Sequence, residues 1–562
     1  MARKKTPSHP TPSTGPGRAE LILVADAAAE LRMTAEGFAS RAGADVSGLA
    51  EALAGPGITI EPLFGVSEDL IRERALEFPD ATGADMATFY HVSAPGEDLE
   101  ALADRLRGLD GVTGAYVKPP GEPPVAIDLE VLAEMAPSEE EPPATTPNFT
   151  ARQLYLNAAP TGVDARYAWT LSGGRGAGVN IIDCEWGWRF NHEDLRVNQG
   201  GVVIGTGISD DDHGTAVLGE ISGDRNGFGI EGICPDARVM AASFATLPTA
   251  RVIRMAADRL RPGDIMLLEI HRRGPGGSGV GQDGFIAIEW WPDDLAAIRY
   301  AVARGVIVVE AAGNGARNLD AAIYNTPGAG FPAAWRNPFN PNNPTSGAVL
   351  VGAGAPPPGT HGRDHGPDRS RLDFSNYGAR VDVQGWGREV TSTGYGNLQG
   401  GSDRDRWYTD TFSGTSSASP IVVGVLGCAQ GVLRARNRPL LTPAVARTLL
   451  RATGSPQQDA PGRPRTQRIG TRPNLRHIIA RLVPSAPPTE ASVGSAEPAP
   501  VRGGVTIAIS SSQVTINVTA SGVSVASEPI TAPAPIAATG YTNGHTPVNR
   551  LLQPDADVLP TE

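Results

Sequence analysis

Cysteine is nearly absent: Cys184, Cys234 and Cys428 are the only three in 562 residues, and no Cys-x-x-Cys pair occurs. A disulfide framework is thereby excluded, and no zinc ligand set is suggested. A basic surplus is missing too. With 48 Lys and Arg against 61 Asp and Glu, the formal charge of -13 argues against a general binder of phosphate backbones, so nucleic acid is not an expected partner. Apolar runs are short and interrupted by charge, and none approaches the roughly 18 to 20 residues of a membrane-spanning helix. Arg3, Lys4 and Lys5 open the chain as in an export signal, but Pro7, Ser8, His9, Pro10 and Pro12 follow where such a signal would be apolar, and Leu21-Ile22-Leu23-Val24 is too short to serve. A soluble, cytoplasmic protein with no membrane partner is expected; export without such a signal stays open.

Glycine and proline, at 68 and 49 residues, are plentiful and imply many tight turns and connectors. The length exceeds what one core usually organises, so a large domain with flanking pieces is expected. Residues 1–19 form a Pro/Ser/Thr-rich tail with almost nothing to bury, expected to be disordered. Over 20–120 the pattern gives strands at 21–25, 57–64, 86–93 and 112–117 and helices at 34–54, 67–77 and 96–109, the last with Leu99, Leu102 and Leu106 on one side. Two such split units predict a ferredoxin-like α+β domain. Residues 121–150 read as a polar, proline-rich linker.

From 151 to 482, near-continuous apolar runs at 179–182, 265–270, 306–311 and 349–352 alternate with helical spacing at 250–260 and 293–304. Strands buried on both faces have this composition, so the main domain is expected to be α/β, a mostly parallel sheet flanked by helices. The remainder, 483–562, begins as a Pro/Ala-rich linker and then alternates at Val505, Ile507 and Ile509 and at Val514, Ile516 and Val518, a short β-rich arm.

Chemistry concentrates in three segments. Ser413-Gly414-Thr415-Ser416-Ser417-Ala418-Ser419-Pro420 leads into an apolar helix, where a serine hydroxyl meets unpaired N–H groups and the positive end of the helix dipole, suited to attack on a carbonyl. An N-cap serine has the same local sequence, so other residues must decide. Serine needs a base, and His213 in Asp212-His213-Gly214-Thr215 opens a helix with small residues beside it. Asp183, read as ending the strand 179–182, is placed to orient that imidazole.

Taken as a set in the order Asp, His, Ser, these segments resemble the subtilisin-like (subtilase) serine peptidases, whose triad is one of the standard comparisons for this chemistry. Ala311-Ala312-Gly313-Asn314-Gly315 resembles the segment that supplies the family's oxyanion amide, which gives Asn314 that role. The likeness extends to Asn191-His192-Glu193-Asp194-Leu195, Asn226 to Pro235 and Asp373 to Gly378. It implies a serine endopeptidase, with Ser416 as nucleophile, His213 as general base and Asp183 as orienter. No cofactor is required for the chemistry, and structural calcium stays open. The partners implied are a protein or peptide substrate and the chain's own N-terminal domain, which would inhibit a zymogen until the linker between Met135 and Thr150 is cut.

Two departures stand out. The family follows its aspartate by Ser or Thr and then Gly, whereas Asp183-Cys184-Glu185-Trp186-Gly187 has two extra residues before the glycine. Glu185 also raises the sedolisin family of acid peptidases, which uses Glu, Asp and Ser; a silent binding protein on the subtilase fold is the other alternative. The insertion between Trp386 and Trp407 precedes the serine segment and is placed to shape a cleft.

Overall fold

The computed structural model describes residues 17–34, 37–77, 85–125, 136–483, 505–510 and 513–518. Nearly all of the expected N-terminal tail and the connector after 483 lie outside them. Residues 1–485 form one compact unit and 486–562 a second.

Strand β1 (Glu20–Ala25) leads into a hairpin of β2 (Leu31–Thr34) and β3 (Gly37–Ser40), then helix α1 (Ser47–Ala52), β4 (Thr59–Pro62), α2 (Glu68–Leu76), β5 (Phe89–Ser93), α3 (Leu99–Arg107) and β6 (Val112–Lys118). The order β4-β5-β1-β6, antiparallel at each contact, is that of two interleaved split β-α-β units. Asp98 starts α3 by accepting from the N–H groups of Glu100 and Ala101. The helix expected over 34–54 is confined to α1. Gly37 and Gly43 adopt φ of 118° and 76°, which a helix excludes, and the segment before them pairs as the hairpin.

The main sheet contains β8 (Asn180–Glu185), β9 (Gln199–Ile204), β10 (Arg238–Ser243), β11 (Ile265–Leu268), β14 (Ile307–Ala311), β15 (Val349–Gly354) and β16 (Val383–Trp386). Its order is β16-β15-β14-β11-β8-β10-β9 and every pairing is parallel. Side chains alternate between the two faces. Ile182, Cys184, Met266, Leu268 and Val308 pack with the helices Thr249–Arg259 and Pro292–Ala303. Ile181, Leu267, Val309 and Val351 pack with the helices Asp212–Ser222 and Thr415–Ala435, the histidine and serine helices below. Burial from both sides is why these strands are apolar throughout. The serine helix is long and apolar enough to cross a membrane, contrary to the expectation of no such stretch, but that window is wholly buried as the central core helix.

The N-terminal sheet also has two apolar faces. Leu21, Leu23 and Ala25 pack with Leu102 and Leu106 of α3, whereas Ile22, Val24 and Tyr116 join the core formed with the helices Thr249–Arg259 and Pro292–Ala303. Tyr116 meets Phe331 edge to face at 4.8 Å, within an aromatic cluster that includes Trp290 and Trp335. At the border of this contact Lys118 is fully buried, its Nζ 2.6 Å from Asp293, 2.9 Å from Asp294 and 3.2 Å from Glu20. Glu20 in turn accepts from the N–H of Thr249 at the start of its helix and pairs with Arg272. The second unit is described only by an antiparallel pair, Val505–Ser510 with Gln513–Val518.

Removing the buried ammonium would leave Asp293 without a cation and Asp294 with only Arg272, 3.9 Å away. In a Ser416→Ala background, Lys118→Ala is expected to cost about 3–5 kcal/mol, measured as an earlier urea transition of the N-terminal layer.

Candidate active site

The serine helix starts at Thr415 because Gly414 takes φ 112° and turns the chain out of β18 (Tyr408–Phe412). Ser416 therefore lies in the first helical turn, where backbone N–H groups have no partner within the helix. Asn314 follows β14 and is held from the same turn: its Oδ1 accepts from the N–H and the hydroxyl of Thr415, each at 2.9 Å. With its oxygen committed, the amide turns Nδ2 toward the serine. Ser417, where the family usually has methionine, donates its hydroxyl to the Trp386 carbonyl at 2.9 Å and is a packing position.

His213 lies in the first turn of the histidine helix, with Gly214 beside it. A Cβ on Gly214 would come within 2.3 Å of the Gly187 carbonyl, so this glycine admits the chain leaving β8 rather than a substrate. A strand, β17 (Val390–Thr393), borders the helix: the hydroxyls of Ser392 and Thr393 donate to the carbonyls of Ala216 and Thr215. The insertion between Trp386 and Trp407 thus bears on the base, with β17 paired to β18.

The carboxylate on His213 is Glu185. His213 Nδ1 donates to Glu185 Oε2 at 2.7 Å, while Asp183 Oδ2 accepts from Trp188 Nε1 at 2.7 Å. The strand runs on to Glu185 instead of stopping at Ile182, so Asp183 lies one pleat deeper and Glu185 stands at the mouth. Period two sends both carboxyls to the same face. A cue was present in the sequence: the family's acid precedes its glycine by two, and Glu185-Trp186-Gly187 satisfies that spacing.

Asp183 and Glu185 also feel each other's charge. Burial, then the neighbouring charge of Glu185, push Asp183 well above the usual carboxylate range, and burial raises Glu185 as well. The remaining oxygens, Asp183 Oδ1 and Glu185 Oε1, are buried with no hydrogen-bond partner among the described residues. Burial pulls the His213 imidazole below its ordinary value, against the attraction of Asp183 and Asp210. Its Nε2 is buried and has no hydrogen-bond partner among the described residues, the Ser416 hydroxyl being turned to the Pro124 carbonyl instead. Two carboxyls that sequence reasoning missed, Glu220 and Glu269, are wholly buried, and burial pushes both well above the usual carboxylate range, Glu269 also through the charges of Asp183, Glu185 and Glu220.

The cleft is filled by the chain itself. Strand β7 (Gly121–Glu122) pairs antiparallel with β12 (His271–Arg273), which in turn pairs with β13 (Phe285–Ala287). Two residues on, the Pro124 carbonyl accepts from Asn314 Nδ2 at 2.5 Å, Ser416 Oγ at 2.9 Å and the Ser416 N–H at 3.4 Å. Three donors thus converge on one carbonyl oxygen, as an oxyanion site requires, with the Ser416 hydroxyl itself one of them. The stretch 136–150 lies elsewhere, Ser138 paired with Gly396 and Gly401 and Thr146 with Glu193. The structure therefore offers Pro124, and not a residue of 136–150, to the serine.

Other candidates have ordinary partners. Asp211 and Asp212 pair with Arg404 at 2.7 and 2.9 Å. Among the described residues no group of three or more His, Cys, Asp or Glu side chains is arranged to hold a metal ion. Cys184, Cys234 and Cys428 are buried free thiols.

Residues 205–470 match the subtilase family, peptidase S8. Over 342 residues the chain is 28% identical to alkaline elastase YaB of Bacillus sp. (strain YaB), covering 60% of this chain and 73% of that protein. Over 331 residues it is 26% identical to an intracellular serine protease of Paenibacillus polymyxa, covering 55% and 86%. Among solved structures, fervidolysin of Fervidobacterium pennivorans aligns at 17% identity over 83% of this chain and 61% of that one, with a TM-score of 0.47. The family match begins downstream of β8, so the acid of the site rests on geometry.

The depressed imidazole makes a spectroscopic prediction. In the Ser416→Ala protein, NMR titration should find His213 gaining its second proton below pH about 6.5, the ordinary histidine value; a midpoint above that would contradict the burial argument.

Proposed function

We propose, from its similarity to the subtilase family of serine endopeptidases, that this chain cleaves peptide bonds with Ser416, His213 and Glu185 as its triad, Glu185 standing where Asp183 was expected. The Ser416 hydroxyl passes its proton to His213 Nε2 as Oγ bonds to the carbonyl carbon. The oxyanion is held by Asn314 Nδ2 and the Ser416 N–H. His213 then protonates the leaving amine, the C–N bond breaks, and water reverses the sequence to release the acid. No cofactor enters. Glu185 fixes the imidazole with Nδ1–H directed at it, and Asp183, bonded to Trp188 one pleat deeper, acts on Glu185 only through its charge.

The observation that carries this reading is the Pro124 carbonyl against Asn314 and Ser416. The same observation supports regulation by the N-terminal domain: residues 20–118 dock on the peptidase, and the segment that follows fills the cleft until Pro124–Val125 is cut. A histidine hydrogen-bonded to Glu185 favours the subtilase mechanism over a sedolisin one, in which a glutamate would serve as base. A silent binding protein would have little use for the aligned donors.

Intact-mass analysis tests the reading directly. Wild type should yield a fragment starting at Val125 and should react with a fluorophosphonate, whereas Ser416→Ala should do neither; an intact, unreactive wild type would overturn it. Glu185→Gln should lower kcat by about 10³–10⁴, in line with the loss in the trypsin Asp→Asn case, and Asp183→Asn by less than about 10². The reverse ranking would return the orienting role to Asp183. Asn314→Ala should lose about 10²–10³, as for the oxyanion asparagine of subtilisin.

A further inference from the structure

The residues that bring Pro124 to the serine also surround Glu122 with donors. Register fixes where Glu122 lies: in the β7–β12 ladder it stands opposite His271. Any peptide that pairs with β12 in this way, its scissile carbonyl between Asn314 and Ser416, presents the residue two before its scissile-bond residue at the same place.

That place is built for an anion. Gln282 Nε2 donates to Glu122 Oε1 at 2.9 Å and to the Pro123 carbonyl at 3.3 Å. Its Oε1 is committed to Asn314 Nδ2 at 3.0 Å, so the amide cannot turn to offer an acceptor to the peptide. His271 is similarly fixed. Its Nδ1 accepts from the Asn314 N–H at 3.2 Å, so a neutral ring carries its proton on Nε2. That atom lies 3.6 Å from Glu122 Oε1 and, buried, has no hydrogen-bond partner among the described residues. His271 is fully buried and Gln282 is 8% exposed, so both side chains are part of the fold rather than mobile surface groups. Phe285 packs against the imidazole, its ring centroid 4.7 Å away and tilted by 49°.

We propose that His271 and Gln282 form a specificity subsite for an acidic side chain at the third residue on the N-terminal side of the cleaved bond, and that Glu122 is its built-in occupant. The inference rests on the reading that Pro124–Val125 is the bond presented to Ser416. One donor bonded to this oxygen and a second N–H left unpaired 3.6 Å from it favour a carboxylate, accept a neutral amide less well and repel an ammonium group. Gln282 also ties recognition to chemistry, since the amide that meets the acidic residue is hydrogen-bonded to the oxyanion asparagine.

Self-processed wild type would be assayed on peptides containing Gly-Xaa-Pro-Pro-Val with Xaa as Glu, Gln or Lys. The expected kcat/KM order is Glu, Gln, Lys, with Glu over Lys by at least about tenfold. His271→Ala and Gln282→Ala should each shrink that ratio to within about threefold, whatever they do to the absolute rate. A ratio near one in wild type, or one untouched by both substitutions, would overturn the subsite while leaving the peptidase reading intact. Failure of wild type to cut at Pro124–Val125 would instead count against the reading of the bond. The subsite is then tested without turnover: in the full-length Ser416→Ala chain, Glu122→Lys should speed hydrogen exchange across 119–125 by at least about tenfold, and unchanged exchange would overturn it.

Discussion

A parallel sheet covered by helices on both faces has no room for charge except at its ends. This constraint governs the placement of the site. Along most of their length β8, β11, β14 and β15 bear apolar side chains, and the polar groups gather where the strands give way to loops. Glu185 ends β8, Asn314 follows β14, and His213 and Ser416 occupy the first turns of the two helices packed on that face. Helix starts supply free N–H groups and a positive dipole end, so a nucleophile and an oxyanion site arise together there.

Burial also sets the electrostatics. Asp183, Glu185, Glu220 and Glu269 are nearly or completely removed from water, and each is displaced upward from an ordinary carboxyl. Such a group survives as a neutral acid or by sharing a proton. At the end of β8 each carboxyl has one partner on a different neighbour: the deeper one meets the Trp188 indole, and the outer one faces the imidazole. At the docking surface the solution differs, because Lys118 and Arg272 supply permanent charge to Glu20, Asp293 and Asp294. That arrangement pushes the Glu20 carboxyl down to about 2 despite burial, through the attraction of Lys118 and Arg272.

The docked N-terminal layer and the cleft are connected through a short run of chain. β6 ends at Lys118, anchored in the ionic cluster, and Pro124 rests against Ser416 six residues later. Between them only β7 makes a ladder, and its partner β12 follows closely on β11 of the main sheet. Rigid contacts at both ends thus hold an otherwise extended segment in one register.

Much of the fold was legible because burial on two faces forces a distinctive composition: the apolar runs near 265, 307 and 349 became strands, and the serine and histidine segments became helix starts. Asn314 and Ser416 were legible for a similar reason, since glycines and small residues surround positions where backbones must approach closely. The acid was harder. Asp183 and Glu185 share a strand face, and the choice between them depends on how far β8 extends and on where the imidazole lies, neither of which hydrophobic patterning encodes. Gly37 and Gly43 ended the expected helix through backbone conformation, a local signal outweighed by the surrounding helical spacing. The sequence by itself determined the fold class and singled out Ser416 and His213 as candidates, because those follow from local pattern and chemistry. Only the tertiary structure decided which carboxylate meets His213 and which carbonyl meets Ser416, because both depend on distances between segments far apart in the chain.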